Sequence, residues 1–411
     1  GSRIQGSRIQ GSRIQGSRTQ GSRTPSSRTQ GFRIQGFRIQ GSRTPRSRTQ
    51  RGEGFGGVYW TILGTTAGLC LIGLIMVLSS TTVRGKEKFQ DPYYYFERQA
   101  VWLGVGLAAM FAVQVIGLKG LRNLAWLGMG VITALLVAVL IVGDRVKGST
   151  RWIEVNGNTI QPSELAKYVL IVWVASLVAG KRRQLGNWRA VLLPVGCGVG
   201  LVCVLIGIEP DLGTVFIILA IVGSMLVLAG ARLHHLAIAV LMVSPILAFF
   251  AMTGYHLERF SVFDPSSDLL GSNYQLTESL STVARGGVLG VGPGASSAKW
   301  GFLPEAHKDV IFAVVTEELG IFGAVVLGGL FVLLVACAFR VHRRCEDLFG
   351  SLVALGIGVW IGIQAFVNIG VTLGVLPNKG LTLPFVSYGG SSLLVMLVAV
   401  GTLLSVAART R

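Results

Sequence analysis

The run YHLERFSVFDPSSDLLGSNYQLTESLSTVARGGVLGVGPGASSAKWGFLPEAHKD, residues 255–309, decides how the rest of the chain is read. It is polar, it interleaves glycine with aromatic and charged residues, and it interrupts a chain built otherwise from long apolar runs. Lipid offers no hydrogen bonds to exposed backbone, so a connection of this length sits in water or against protein. Loops much beyond about 15 residues are usually functional or disordered, and the absence of low-complexity bias here argues for function. Its chemically capable side chains are Arg259, Asp264, Asp268, Tyr274, Gln275, Glu278, Arg285, Lys299, Glu305, His307, Lys308 and Asp309.

Composition agrees with a membrane setting. Of 411 residues, 51% are hydrophobic and 14% charged, against about 25% charged in soluble domains. That balance predicts an all-α integral membrane protein. The formal net charge of +18 is unevenly spread: residues 1–51 hold twelve arginines and no acid, which leaves +6 for the remainder. Outside the tail nothing suggests nucleic-acid binding. The five cysteines show no metal-type spacing, and no disulfide is expected.

Residues 1–52 form an expected disordered tail on the cytoplasmic side. They repeat a five-residue unit, Gly-Ser-Arg-Ile-Gln and its variants, whose period fits neither helix nor strand and whose composition cannot bury enough surface to offset chain entropy. The tail lacks the apolar core of a signal peptide. Its arginines could dock on anionic headgroups, or the repeat has no role.

From residue 53 to 411 a single polytopic domain is expected. Ten candidate spans approach the roughly 20 apolar residues that cross a bilayer: 58–80, 98–117, 123–143, 163–180, 190–208, 212–230, 233–254, 310–339, 350–374 and 388–407. Every second connection is short and basic, carrying Lys119 and Arg122, Lys181 to Arg189, Arg232, Arg340 to Arg344, and Arg409 with Arg411. The positive-inside rule then places both termini in the cytoplasm and the large 255–309 loop, between spans seven and eight, outside.

Three polar segments fall at the outward ends of spans. In Gln161-Pro162-Ser163-Glu164-Leu165-Ala166-Lys167, Pro162 suits a helix first turn, and Glu164 and Lys167 share one face three residues apart. Ionisable groups at that depth are costly on the lipid side, so this face lines a protein cavity, or Glu164 serves as a helix-dipole partner with Lys167 its ion pair. Glu209-Pro210-Asp211-Leu212-Gly213-Thr214 makes a tight turn whose carboxylates meet a helix N-terminus. The third, residues 376–392, holds two prolines and three glycines among apolar residues and reads as re-entrant backbone packed on protein. Lys379, its only charge, suits a phosphate or the headgroup boundary.

These motifs, with Leu303-Pro304-Glu305-Ala306-His307 and Glu317-Glu318-Leu319-Gly320, resemble the SEDS family of shape, elongation, division and sporulation proteins over about residues 58–407. Within it, Asn378 to Pro384 and Leu303 to His307 look more like the cell-division members than the elongation members. The resemblance implies ten transmembrane helices in the bacterial cytoplasmic membrane, with both termini inside. It also implies polymerisation of lipid II into glycan strands on the outer face, at the division septum, beside a class B penicillin-binding protein and other divisome proteins. The family's essential aspartate lies in a motif resembling Asp-Pro-x-Gly-x-Gly-Tyr-Gln. Here Asp268-Leu269-Leu270-Gly271-Ser272-Asn273-Tyr274-Gln275 matches it, with Leu269 in place of Pro and Asn273 in place of Gly. Asn tolerates positive φ better than most residues, so the turn survives, while losing the Pro relaxes it. Asp264 is the competing carboxylate, but Gly271 and Tyr274-Gln275 register with Asp268.

A carboxylate beside the acceptor sugar's hydroxyl is a suitable general base, and Asp268 is assigned that role. The leaving pyrophosphate needs positive charge, for which Lys379 is first, with Lys167, Arg259 and Arg285 as helpers. Glu164, Tyr274, Gln275, Ser387 and Ser391 complete the expected substrate-binding set. A divalent cation, magnesium or manganese, could bridge pyrophosphate to Asp268 or Glu164, though no dedicated metal motif is present. A lipid flippase and a non-catalytic scaffold are the competing functions. A carrier should place its ionisable groups near mid-bilayer, whereas these gather at the outward edge.

Overall fold

A computed structural model of the chain describes residues 53–146, 149–155, 158–184, 189–231, 272–300, 307–377 and 380–410. The expected tail, the expected span 233–254, and residues 255–271 and 301–306 of the polar run lie outside the described residues.

The remaining nine expected spans all fall on helices. In chain order the described α-helices are α1 (Glu53–Phe89), α2 (Tyr94–Val142), α3 (Pro162–Gly180), α4 (Leu192–Ile208), α5 (Leu212–Leu228), α6 (Ser272–Gly286), α7 (Ile311–Arg344), α8 (Leu348–Thr372) and α9 (Gly390–Arg409), and every one but α6 carries an expected span. Among the described residues six helices, α1, α2, α3, α7, α8 and α9, are long and apolar enough to cross a membrane, and α4 and α5 are shorter apolar helices. The helix α6 is amphipathic and belongs to the polar run. A small antiparallel sheet of β1 (Asp144–Val146), β2 (Ser149–Val155) and β3 (Asn158–Ile160) joins α2 to α3, a modest addition to the expected all-α architecture.

One helical run, α2, contains two expected spans. At Gly117 φ is +65°, which breaks the helix, and side chains rarely adopt that conformation because a Cβ would crowd the next carbonyl. The neighbours show that the chain reverses there. Before the break, Gly106 faces Leu397 and Gly117 faces Arg409, so the first leg runs parallel to α9. After it, Trp126 meets Trp173, Gly128 faces Val169 and Arg122 approaches Gly180, so the second leg runs antiparallel to α3. Because α3 and α9 are themselves parallel, with Glu164 beside Ser392 and Tyr168 beside Thr402, the two legs are antiparallel to each other. The expected span 310–339 is likewise divided, at Gly320 (φ +67°). Residues 311–319 form a separate short helix, and Glu317 and Glu318 close it by accepting from the backbone NH groups of Val291 (2.9 Å) and Gly292 (3.1 Å).

Three inner columns, α3, α8 and α9, have 72% of their most apolar stretches buried, whereas α2, with 28%, turns most of its surface outward. Trp360, Phe349, Ile171 and Leu403 are buried among them. In lipid the water-exclusion gain is absent, so columns like these are held by close fit and by polar contacts between helices. The packing brings the N-terminus of α3, the 209–211 turn, α6, residues 307–310 and residues 380–389 to one end of the bundle. Lys119, Arg122, Arg344 and Arg409 gather at the other.

Candidate active site

At the polar end, Gln161 is extended and Pro162 opens α3, so Glu164 enters the first turn and Lys167 lies one turn deeper. The spacing puts both on the inward face. Lys167 Nζ donates to Glu164 Oε1 at 2.7 Å, with side chains 0% and 6% exposed. A charge pair this dry persists only where further hydrogen bonds satisfy it, and the neighbours supply them. Lys167 also donates to Gln364 Oε1 (3.0 Å) on α8 and stands 5.2 Å over the Trp360 ring. Trp360 Nε1 donates to the same amide oxygen (2.7 Å), and Gln364 Nε2 donates to the carbonyl of Thr382 (2.9 Å). Ser392 Oγ, in the first turn of α9, donates to Glu164 Oε2 (3.1 Å). The pair thus ties α3, α8, α9 and the 380–389 segment together.

That segment is irregular backbone packed on protein. Asn368 Nδ2 donates to the carbonyls of Asp309 (2.7 Å) and Leu381 (2.6 Å), joining the end of the polar run to the segment. Ser387 Oγ donates to the Lys308 carbonyl and accepts from the Leu383 NH (2.8 Å), while the Tyr388 NH donates to the His307 carbonyl (2.9 Å). The rings of Tyr95, His307 and Tyr388 cluster at 5.2 to 5.7 Å. From below, α1 approaches so closely that a Cβ at Gly73 would stand 2.4 Å from the Phe385 carbonyl oxygen and 2.7 Å from Val386 Cα.

A second polar knot lies beside the first. Asp211 caps α5, accepting from the Thr214 NH (3.3 Å) and Thr214 Oγ1 (2.8 Å), and also receives Gln161 Nε2 (3.4 Å) and Ser163 Oγ (3.5 Å). Arg151, on β2, donates to the carbonyls of Glu209 (2.9 Å) and Pro210 and lies 4.0 Å from Asp211 Oδ1. Both carboxyl oxygens of Glu209 are buried and have no hydrogen-bond partner among the described residues. Burial, with the Asp211 charge adding to it and Arg151 opposing, pushes its pKa up to about 8.

The expected site residues divide into three groups. Glu164, Lys167 and Ser387 belong to the connected core at the polar end. Ser391 is half-buried, and the serine on Glu164 is its neighbour Ser392. Arg285, Tyr274 and Gln275 are on α6. Arg285, 44% exposed, bonds Glu278 (3.1 Å) and Ser297 (2.6 Å), and lies 4.0 Å from Glu317, apart from the buried pair. Tyr274 is exposed in the first turn. Asp268, Asp264, Arg259 and Lys379 lie outside the described residues. Sequence reasoning missed Gln364, Trp360, Thr382 and Ser392. Of these, Gln364 alone carried a signal, as one of two amides, with Asn368, inside an apolar helix.

The family model described as cell cycle protein, FtsW/RodA/SpoVE, matches residues 60–411. The chain belongs to that family. It is 38% identical over 358 residues, 85% of this chain and 96% of the relative, to a "Probable peptidoglycan glycosyltransferase FtsW" of Coxiella burnetii. It is also 38% identical to stage V sporulation protein E of Bacillus subtilis, over 84% of this chain and 95% of that one. Among solved structures, a chain of a peptidoglycan synthase complex that coordinates polymerization and crosslinking superposes with a TM-score of 0.70 and 31% identity, covering 85% of this chain and 98% of that one. Rod shape determining protein RodA of Thermus thermophilus gives a TM-score of 0.64 and 28% identity, covering 85% and 96%. This FtsW/RodA/SpoVE member carries the buried carboxylates among its described residues at one end of its helical bundle.

Proposed function

We propose that the chain is a peptidoglycan glycosyltransferase that polymerises lipid II during septal wall synthesis, working at the outer face of the cytoplasmic membrane. The observation that carries this reading is the buried Glu164–Lys167 pair, held by Gln364 and Ser392 beneath the 380–389 segment, in a chain similar along most of its length to a named glycosyltransferase.

In the proposed step Asp268 accepts the proton of the acceptor sugar's 4-hydroxyl. The oxygen forms a bond to the donor's anomeric carbon, and the bond from that carbon to the lipid pyrophosphate breaks with its electron pair. The base contributes about 10² to 10⁴ in rate. Lys379, next to the segment that Asn368 and Ser387 clamp, supplies the fixed positive charge that the departing pyrophosphate needs. Lys167 has no exposed surface, and among the described residues its polar contacts are to Glu164, Gln364 and the Trp360 ring. Its part is therefore to fix the wall on which the 380–389 segment rests rather than to touch the headgroup. Glu164 is equally committed, to Lys167 and Ser392, and does not fit as a ligand for a bridging divalent cation. Among the described residues no three His, Cys, Asp or Glu side chains gather as a metal site. Arg285, Tyr274 and Gln275 on α6 form the rim over which substrate enters. A crosslinking enzyme of the class B penicillin-binding type is the proposed partner, supported by the likeness to a chain of a synthase complex.

A flippase would use groups reachable from both ends. Against it, the described carboxylates inside the bundle, Glu164, Glu209, Asp211, Glu317 and Glu318, all lie toward the polar end. Purified protein given labelled lipid II, alone and with the partner, tests the proposal. Glycan strands support it. Lipid II moved across a vesicle with no polymer would support the carrier, and inertness in both assays would leave only the scaffold.

A further inference from the structure

The basic end of the bundle holds a cavity that the proposed reaction does not use. Three remote pieces of chain enclose it: the turn between the two legs of α2, the connection from α7 to α8, and the end of α9. Its volume is about 420 Å³, within the roughly 300–1,000 Å³ of small-molecule sites. Lys119, Arg122, Arg344 and Arg409 line it, against Glu346 and Asp347. Asp347 is already engaged, since its Oδ2 accepts the Gly350 NH (3.1 Å) and caps α8. Among the described residues Lys119, Arg122 and Arg409 enter no ion pair or hydrogen bond. The Arg409 guanidinium lies across the α2 turn, where its Nη2 would stand 2.5 Å from a Cβ at Gly117.

Basic residues at the inner ends of spans are general and need no hollow. Here unneutralised cations from remote segments face the same hollow, an arrangement of like charges that costs free energy until an anion enters. We infer that this cavity binds a phosphate group. A guanidinium matches phosphate oxygens in a two-pronged fork, and basic pockets between transmembrane helices on the cytoplasmic side take anionic headgroups. The phosphate comes from an anionic lipid or from a soluble phosphate. The position at the ends of spanning helices, at headgroup depth, favours the lipid.

The test uses the full chain in nanodiscs of phosphatidylcholine with and without phosphatidylglycerol, reading the apparent melting temperature and, by native mass spectrometry, the phosphatidylglycerol retained. The cavity variant is R122Q/R409Q. The control is R182Q/R183Q, which removes two exposed cations in the turn after α3, outside the cavity. Phosphatidylglycerol is expected to stabilise wild type and control alike, and the cavity variant is expected to lose at least fivefold in retained lipid. If that variant fails to fold in phosphatidylcholine, K119Q on the exposed rim replaces it, with a twofold or greater loss expected. Inorganic phosphate, compared with chloride at equal ionic strength, identifies a soluble source if it protects wild type but not the variant. Retention unchanged in the cavity variant, or lost equally in the control, overturns the inference.

Discussion

At the scale of single residues, the Glu164–Lys167 pair is the most exacting feature. Removing one partner of a buried pair leaves an unpaired charge and costs about 3–5 kcal/mol, while removing both and filling the space is often close to neutral. Glu164→Gln or Lys167→Met alone should therefore lower the apparent melting temperature sharply in detergent, and the double variant should recover much of the loss. A loss in the double variant equal to the sum of the two single losses would show that the pair is not coupled. Glu209 gives a second prediction. Its folded pKa of about 8 lies above its ordinary value of 4.5, so the folded state holds the extra proton. The resulting stability is fully present below about 4.5 and is lost as pH rises through about 8. Wild-type melting temperature should fall across that window more steeply than that of Glu209→Gln, and parallel curves would contradict the assignment. The identity of the serine on Glu164 was not legible in the sequence. Adjacent helical residues point about 100° apart, so choosing Ser392 over Ser391 needs the rotation of α9, which only its packing on α3 sets.

At the scale of elements, apolar run length sufficed to find the apolar helices among the described residues, though not α6, because crossing a bilayer imposes a minimum length that sequence displays directly. It could not show that α7 breaks at Gly320, since residues 311–315 are as apolar as a span and the break rests on hydrogen bonds from residues 291 and 292. Nor did it show the sheet at 144–160, whose strands are too short to carry a clear alternation. The irregular path of residues 376–377 and 380–389 was legible from their prolines and glycines, but their seat on α1 was not. That seat leads to a prediction for the element. Gly73→Ala would press a methyl group on the backbone of Phe385 and Val386. Overpacking against backbone costs about 1–3 kcal/mol, so the variant should melt lower and lose polymerase activity through displacement of the segment. Normal activity with a normal melting temperature would mean that α1 does not support it.

For the whole molecule, the two ends of the bundle have separate chemistry. One collects buried carboxylates, amides and the irregular 380–389 segment, and the other collects cations. Alternation of basic and mixed connections announced this division in the sequence, since each reversal of the chain carries its charge to a fixed end. The central claim is that the polar end performs glycosyl transfer with one aspartate as base, and the competing carboxylate four residues earlier makes a direct comparison available. The decisive measurement is strand synthesis from labelled lipid II by purified wild type, Asp268→Asn and Asp264→Asn, each first shown to insert and melt as the wild type does. The account predicts that Asp268→Asn loses at least about a hundredfold in rate while Asp264→Asn retains most of it. Undiminished polymer from Asp268→Asn would contradict it.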